Sequence, residues 1–269
     1  MNKKNFKLSI LLLFLSLWLL SFHTCSLKKS KNDGTITLRQ AIGNIVNPRL
    51  KVGAIIGVIL KNQRHVFAYG TKERNGNEAP DSNTVFEIGS NTKTFTAIML
   101  ADMHLKGIVN LEDNAQKYLP ADKVTLPVSN GTKITLLHLA THTSGIPSMP
   151  DNVEENQTNP ADPFSTYTVD NMYEFLDNCT LDFPVGTQHK YSNAGMGLLG
   201  LILALANGTS YEELLFQRML TPLGMNNTSL FLTAAQGQNL ATGYDGDLNP
   251  VSTWTATDCL QGAGFIKST

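Results

Sequence analysis

The chain has 269 residues, a formal net charge of −1 and 16% charged residues, compared with about 25% in an average domain. Because acidic and basic side chains nearly balance and no nucleic-acid-binding motif occurs, the composition argues against nucleic acid as a partner. A chain of this length can bury a substantial core. Because few residues are charged, the surface of the protein must be rich in Asn, Thr and Ser, as is common in exported proteins.

Residues 1–24 have the three-part pattern of a secretory signal peptide. A lysine-containing start precedes the apolar run at 8–20, which falls short of the roughly 20 residues needed to span a bilayer. No small-residue cleavage site follows, so three outcomes stay open: ordinary cleavage, lipid attachment at Cys25, or an uncleaved leader that anchors the chain. All three predict an exported protein, periplasmic or secreted, and the last two add a membrane tether.

A helix and a hairpin are the first predicted elements after the leader. Thr37 can cap a helix that runs to Val46. Residues 53–60 predict a largely buried strand, Lys61 and Asn62 a turn, and residues 63–69 the antiparallel partner. Residues 34–85 are therefore expected to form the first part of a sheet lobe.

The pattern then becomes mainly helical across residues 86–253. Gly195, Gly197 and Gly200 lie in a helix that is apolar almost throughout, and we expect them to let it approach a neighbour closely. Residues 254–269 start a return to the sheet lobe, which predicts two lobes with a site between them. The candidate helices lie at 113–118, 136–141, 169–177, 194–206 and 211–220, the last with a Ser210 capping box and an end at Thr221 and Pro222.

Ser90 and Lys93 form the first chemical motif. Gly89 leads a turn into a predicted helix, and two residues three apart at its start project from the same face. A serine hydroxyl needs a base to become a nucleophile, and a lysine with a lowered pKa can be that base. The helix dipole and burial both favour the neutral amine. The apolar positions of this helix are Phe95, Ile98, Met99 and Leu105, and Gly107 is its expected end.

The same Ser-x-x-Lys spacing at Ser26 and Lys29 shows that the motif alone is weak. Its alternative interpretation is a polar residue near a helix start and a solvated lysine. Tyr191-Ser192-Asn193, the only Tyr-x-Asn in the chain, strengthens the chemical interpretation. A phenol needs cationic neighbours to carry a proton, and Lys93 would be one. The alternative for Tyr191 is a loop tyrosine before a helix.

With five further segments, these motifs resemble the class C β-lactamase family, which also holds penicillin-binding D-alanyl-D-alanine peptidases and some esterases. The resemblance runs from about Val52 to the end of the chain. It implies an α+β fold of the β-lactamase/transpeptidase type, with an antiparallel sheet flanked by helices and a mainly helical second lobe. The five segments lie at 111–120, 134–147, 184–187, 222–225 and 262–269.

The resemblance also implies roles for individual residues. Ser90 would be acylated, Lys93 and Tyr191 would exchange its proton, and Asn193 would hold a substrate amide. The oxyanion hole would use the Ser90 backbone N–H and a second N–H from a sheet strand. No cofactor or metal is implied, and the partner would be a small-molecule or peptidoglycan-peptide substrate.

Two departures from the family pattern affect these expectations. The third motif, a Lys- or His-led triplet ending in Gly after Tyr191, does not occur. We therefore expect a sequence truncated at its C-terminus that lacks the C-terminal strands, and a polypeptide that is inactive or poorly folded as written. In addition, Ser148 and Met149 stand where the β-lactamases have a substrate-contacting glutamine, which leaves more room for a peptidase or esterase.

The remaining reactive residues are interpreted as structural. His138 and His142 are four apart, as metal ligands can be, but packing and loop bracing are favoured because no third ligand follows at a recognisable spacing. Cys179 and Cys259 are expected to be free thiols. No Gly-x-Ser-x-Gly elbow occurs, which argues against an α/β-hydrolase.

Three functions stay open on the sequence. The first is an exported serine hydrolase acting through an acyl-enzyme on β-lactam or D-alanyl-D-alanine amide bonds. The second is a carboxylesterase that uses the same residues. The third is a non-catalytic penicillin-binding-like protein.

Overall fold

The structure is a computed structural model that describes residues 36–269. The predicted signal peptide, Cys25 and the Ser26/Lys29 pair lie outside the described residues. The chain divides into two units, Met1–Pro48 and Arg49–Thr269. Within the first unit, helix α1 (Leu38–Val46) begins at the predicted cap, where Thr37 and Gln40 form a reciprocal capping box.

The predicted hairpin is present, as strands β1 (Gly53–Leu60) and β2 (Gln63–Gly70). Lys61 and Asn62 both have positive φ, 48° and 61°, as a two-residue hairpin turn requires. The predicted burial of β1 is wrong, because none of its residues is buried and Ile59 is 77% exposed. The reason is that β1 and β2 pair only with each other among residues 36–269.

Two further antiparallel pairs are short. Strand β3 (Phe86–Glu87) pairs with β6 (Lys267–Ser268), and β4 (Gly243–Tyr244) pairs with β5 (Pro250–Val251). The predicted α+β class is confirmed, with the strands of the described range arranged as three separate two-stranded sheets.

Most predicted helices are present with small shifts of their ends. The segment predicted at 113–118 is a 3₁₀ turn, Ala115–Tyr118, which Asn114 caps. The helices that follow α1 are α2 (Thr92–Leu105), α3 (Leu136–Ala140), α4 (Val153–Asn156), α5 (Val169–Asn178), α6 (Asn193–Asn207), α7 (Tyr211–Leu215), α8 (Thr221–Leu223), α9 (Ala234–Gln238) and α10 (Asp258–Gly264).

The predicted helix at 211–220 needs two corrections. The Ser210 hydroxyl accepts the Glu213 N–H, but the Glu213 carboxylate bonds Gln217, so only half of the capping box forms. Thr221 and Pro222 do not end the helix. A π-helical turn, Phe216–Leu220, leads into α8, because a proline is tolerated in the first turn of a helix.

The buried face of α2 also differs from the predicted one. Ile98 and Leu105 are 45% and 84% exposed. Polar side chains take their place on the inner face, because specific partners satisfy them. The Thr96 hydroxyl, for example, bonds the Tyr211 hydroxyl at 2.7 Å. The buried residues of α2 are Thr92, Lys93, Thr96, Met99, Leu100 and Met103.

Helix α6 packs tightly against α10 at the centre of the core. A Cβ on Gly197 would lie 2.5 Å from the Cys259 carbonyl oxygen, and one on Gly200 would lie 3.0 Å from Gly262 Cα. The predicted close approach is thus confirmed at Gly197 and Gly200. At Gly195 it is wrong, because that residue faces its own N-cap, Ser192.

Cys179 and Cys259 are free thiols, as predicted. In the described range, no single helix is long and apolar enough to cross a bilayer; α6 and the segment Tyr211–Leu223 meet that test only together, with an 80° bend between them.

Candidate active site

Ser90 lies in a short 3₁₀ turn, Gly89–Asn91, directly before α2. Gly89 has φ +50° with open space around its Cα, so the backbone conformation itself calls for glycine there. Ile266 holds the turn at both ends. Its carbonyl oxygen accepts the Ile88 N–H at 3.0 Å, and its N–H donates to the Thr92 hydroxyl at 3.1 Å. The Ser90 side chain is exposed at this fixed turn.

Lys93 lies in the first turn of α2, three residues after Ser90, and is only 8% exposed. Its ammonium group donates to Ser90 Oγ at 3.3 Å, to Asn193 Oδ1 at 2.7 Å and to the Ala263 carbonyl oxygen. These three acceptors match the three N–H bonds of the ammonium group. Burial lowers the pKa of Lys93 from its ordinary value, and the neighbouring Tyr191 partly opposes this shift. The amine therefore becomes neutral at a lower pH than an ordinary lysine.

Tyr191 approaches Ser90 from the segment before α6. Its hydroxyl donates to Ser90 Oγ at 2.6 Å, and its ring centroid lies 4.6 Å from Lys93 Nζ. Ser90 Oγ thus receives hydrogen bonds from both candidate proton carriers. Ser90 is exposed and Tyr191 is 42% exposed, so a ligand can reach this pair of residues.

Asn193 is the first residue of α6, and its Oδ1 accepts the hydrogen bond from the Lys93 ammonium group. Its N–H donates to the Ser148 carbonyl oxygen at 2.8 Å, and Ala194 N–H donates to the same oxygen. The Asn193 side chain is thus held through its oxygen, and its Nδ2 is the atom that can donate to a ligand carbonyl. Ser148 therefore supports the start of α6 through its backbone.

The structure brings together all four residues that the sequence singled out: Ser90, Lys93, Tyr191 and Asn193. Sequence reasoning missed the Ala263 carbonyl oxygen, the third acceptor of Lys93. A backbone acceptor has no side-chain signature, so only the packing of α10 against α6 reveals it.

The two histidines do different structural jobs. His138 lies on α3, where its Nδ1 accepts the Thr135 N–H and completes a capping box. His142 lies beyond the end of α3 with φ +57°, and its Nδ1 accepts the Ser192 N–H at 3.2 Å. In the described part of the chain, no group of three or more His, Cys, Asp or Glu side chains could hold a metal ion.

Comparison with known proteins identifies the family of the chain. The model of the β-lactamase family matches residues 38–269, which is most of the chain. The chain belongs to the β-lactamase family. The resemblance inferred from the motifs is thereby confirmed.

Curated relatives fall into two groups. The chain is 30% identical over 230 residues to the β-lactamase of Escherichia coli K12, covering 82% of this chain and 56% of the relative. It is 33% identical over 218 residues to the D-alanyl-D-alanine-carboxypeptidase/endopeptidase AmpH of the same organism, covering 81% of this chain and 54% of the relative. The chain of this β-lactamase-family member thus spans slightly more than half the length of these two relatives.

A solved structure of a class C β-lactamase shares the fold, with a TM-score of 0.70 and 28% sequence identity. The match covers 85% of this chain and 59% of that chain. The predicted β-lactamase/transpeptidase-like fold is confirmed by this similarity. The expected truncation at the C-terminus and the lobe boundaries stay predictions.

Proposed function

We propose that this protein is an exported serine hydrolase that opens a β-lactam or D-alanyl-D-alanine amide bond through an acyl-enzyme on Ser90. One observation carries the proposal: Lys93 Nζ and the Tyr191 hydroxyl both hydrogen-bond to Ser90 Oγ, at 3.3 and 2.6 Å. A serine becomes a nucleophile when a positioned base removes its proton, and a buried amine with a lowered pKa is suited to that task. Family membership supports the same chemistry.

In the acylation step, Ser90 Oγ attacks the carbonyl carbon of the scissile bond. Its proton passes to the Lys93–Tyr191 pair, and the Ser90 N–H donates to the developing oxyanion. When the C–N bond breaks, the pair returns the proton to the leaving nitrogen. Asn193 Nδ2 binds the carbonyl oxygen of the substrate amide side chain. Water then hydrolyses the ester on Ser90 and releases the acid.

The second oxyanion donor would come from the strand that carries the family's third motif. Because no Lys- or His-led triplet ending in Gly follows Tyr191, we expect the 269-residue polypeptide to be inactive. Incubating it with a fluorescent penicillin tests this expectation, and covalent labelling at Ser90 would refute it. Sequencing the whole gene shows whether the protein that it encodes, called the full gene product below, contains the triplet.

Substrate choice separates the proposed hydrolase from its alternatives. Hydrolysis of nitrocefin, a D-alanyl-D-alanine peptide and p-nitrophenyl butyrate by the full gene product is the test, with Ser90→Ala as the control. Cleavage of either of the first two substrates supports the proposal. The relatives named above include both a β-lactamase and a carboxypeptidase/endopeptidase.

A carboxylesterase is the second candidate. Ser148 and Met149 replace the glutamine expected of a β-lactamase, which leaves room for an esterase as well as for a peptidase. Cleavage of the ester alone would establish this function. A protein that reacts with none of the three substrates, although it carries the triplet, would be a non-catalytic penicillin-binding-like protein.

Export is proposed on the leader pattern of residues 1–24. Expression of the full gene product and fractionation of the cells test it. Recovery outside the cytoplasm, with loss of the leader mass or gain of a lipid on Cys25, distinguishes the three outcomes for the N-terminus.

A further inference from the structure

His142 contacts the chain on both sides of Tyr191. Its carbonyl oxygen accepts the Lys190 N–H at 2.9 Å, and its Nδ1 accepts the Ser192 N–H at 3.2 Å. Its ring also packs against the Tyr191 ring, with centroids 4.8 Å apart and an interplanar angle of 36°. A single residue thus holds the two N–H groups that flank Tyr191 and contacts its ring.

This arrangement specifies the protonation state of the imidazole. Because Nδ1 accepts an N–H, it carries no proton, and the neutral ring must have its proton on Nε2. If the ring became cationic, Nδ1 would be a donor facing the Ser192 N–H donor. The hydrogen bond would then be lost, and the segment that carries Tyr191 would lose one of its two hydrogen bonds to His142.

The surroundings of His142 favour the neutral ring. Burial lowers the pKa of His142, and the nearby charges of His189 and Lys93 lower it further. The His189 ring lies edge-on at 5.7 Å, and the Lys190 ammonium pairs with Asp182 at 2.8 Å.

Two further titratable groups, Tyr191 and His138, lie near His142. Tyr191 contacts the ring directly, and His138 lies on α3 with its Nδ1 engaged by Thr135. The charged groups that act on the His142 ring are His189 and Lys93, while the Asp182 carboxylate pairs with the Lys190 ammonium.

We propose that His142 is the positioning residue of Tyr191: its neutral imidazole holds the Tyr191 hydroxyl on Ser90 Oγ, and protonation of His142 releases that hydroxyl and stops acylation. The inference rests on the proposed function, in which Tyr191 handles the Ser90 proton. It assigns His142 a role beyond loop bracing, because the protonation state of its ring controls the position of the Tyr191 hydroxyl.

The test compares the pH dependence of Ser90 labelling by a fluorescent penicillin in variants of the full gene product. Wild type should lose labelling at acid pH, with a midpoint below 6.5, the ordinary pKa of histidine. His142→Ala should label about 100-fold more slowly at neutral pH, because a misplacement of about 1 Å can cost that much. His142→Asn should restore labelling and abolish the acid loss, because asparagine tolerates positive φ and offers a side-chain acceptor that does not titrate.

His189→Gln is the matched control, because it removes a charge near His142 without touching Ser90, Lys93 or Asn193. It should move the acid loss of labelling to higher pH and leave the labelling rate above the His142 titration unchanged, since His189 lowers the pKa of His142. An acid loss that persists unchanged in His142→Asn, or that His189→Gln does not move, overturns the inference.

A second readout does not depend on activity. In ¹⁵N NMR spectra of the protein without penicillin, His142 should be the Nε2–H tautomer at neutral pH. The Tyr191 ring resonances should shift as His142 titrates. If the protein takes up no penicillin, the proposed function fails while this titration still tests the contact. A protonated Nδ1 at neutral pH, or Tyr191 resonances that do not follow His142, would overturn the positioning role.

Discussion

The reactive hydroxyl of this protein is defined by hydrogen bonds that individual side chains make. Ser90 Oγ accepts from Tyr191 at 2.6 Å and from Lys93 at 3.3 Å, so neither partner has to move far to exchange a proton with it. Lys93 is anchored by Asn193 Oδ1 at 2.7 Å. Such anchoring reduces the freedom of a long side chain and keeps its nitrogen within reach of the nucleophile.

Substitution of Ser90, Lys93 and Tyr191 in the full gene product tests the roles of these three residues. Ser90→Ala should abolish covalent labelling by a fluorescent penicillin, since no oxygen remains to be acylated. Lys93→Ala and Tyr191→Phe should each slow acylation by about 10²- to 10⁴-fold, the usual contribution of positioned proton transfer. Stopped-flow measurement of the labelling rate checks this. Labelling at the wild-type rate in either variant would remove that residue from the mechanism.

The pH dependence of acylation follows from the state of Lys93. A base must be neutral, and the neutral fraction of an amine grows as the pH rises through its pKa. Because burial lowers the pKa of Lys93 below 10.5, the labelling rate should rise with pH earlier than an ordinary lysine allows. At pH values above the His142 titration, Lys93→Arg should lack this rise, because a guanidinium stays protonated. A rise above the range of the His142 titration that survives in Lys93→Arg would assign that titration to another group.

At the scale of elements, the contact between α6 and α10 places the acceptors of Lys93. Asn193 starts α6, and the Ala263 carbonyl oxygen lies near the end of α10. The two helices can approach because Gly197 and Gly200 carry no side chain at the contact. The position of the amine therefore depends on residues that do not touch it.

Gly197→Ala tests this dependence. The added Cβ would lie 2.5 Å from the Cys259 carbonyl oxygen, so α10 must shift. We expect a loss of about 1–3 kcal/mol in the free energy of unfolding, the usual cost of overpacking. Urea denaturation followed by circular dichroism measures it.

Gly237→Ala in α9 is the matched control. Its added Cβ meets no atom within 4 Å and its φ is not in the left-handed region. Alanine should therefore raise stability there by about 0.5–1 kcal/mol, as is usual for glycine in a helix. Equal effects of the two substitutions would argue against a tight contact between α6 and α10.

At the scale of the whole molecule, the hairpin of β1 and β2 exposes several apolar side chains. Ile59 and Val66 are 77% and 48% exposed, and neither strand pairs with a third one among residues 36–269. A groove of about 650 Å³, lined in part by Ala54, Ile55 and Phe86, runs beside the hairpin. Unpaired strand edges with apolar side chains promote association between chains.

We therefore expect the 269-residue polypeptide to self-associate as its concentration rises. Light scattering coupled to size-exclusion chromatography measures this, and Ile59→Lys should reduce it by placing a charge on the hairpin. Leu105→Lys is the control, because Leu105 is 84% exposed but lies on α2. A polypeptide that stays monomeric at high concentration, or equal effects of the two substitutions, would contradict this expectation.

Local patterns were sufficient to predict much of the secondary structure. The bounds of β1 and the cap at Thr37 could be predicted because turn and capping chemistry act over a few residues. The inner face of α2 could not, because apolar spacing favoured Ile98 and Leu105 over polar residues whose partners are far away in sequence. The Thr96 hydroxyl is buried only because Tyr211 and the Gly262 carbonyl oxygen satisfy it.

By itself, the sequence determined the family and the four side chains of the candidate site, because the spacing and order of motifs do not depend on tertiary contacts. Only the tertiary structure decided that Ser90 and Tyr191, 101 positions apart, share a hydrogen bond. The same holds for the Ala263 carbonyl oxygen on Lys93 and for His142 beside Tyr191. Contacts of this kind arise from the packing of distant elements, and no local pattern encodes which backbone oxygen or ring will meet a given side chain.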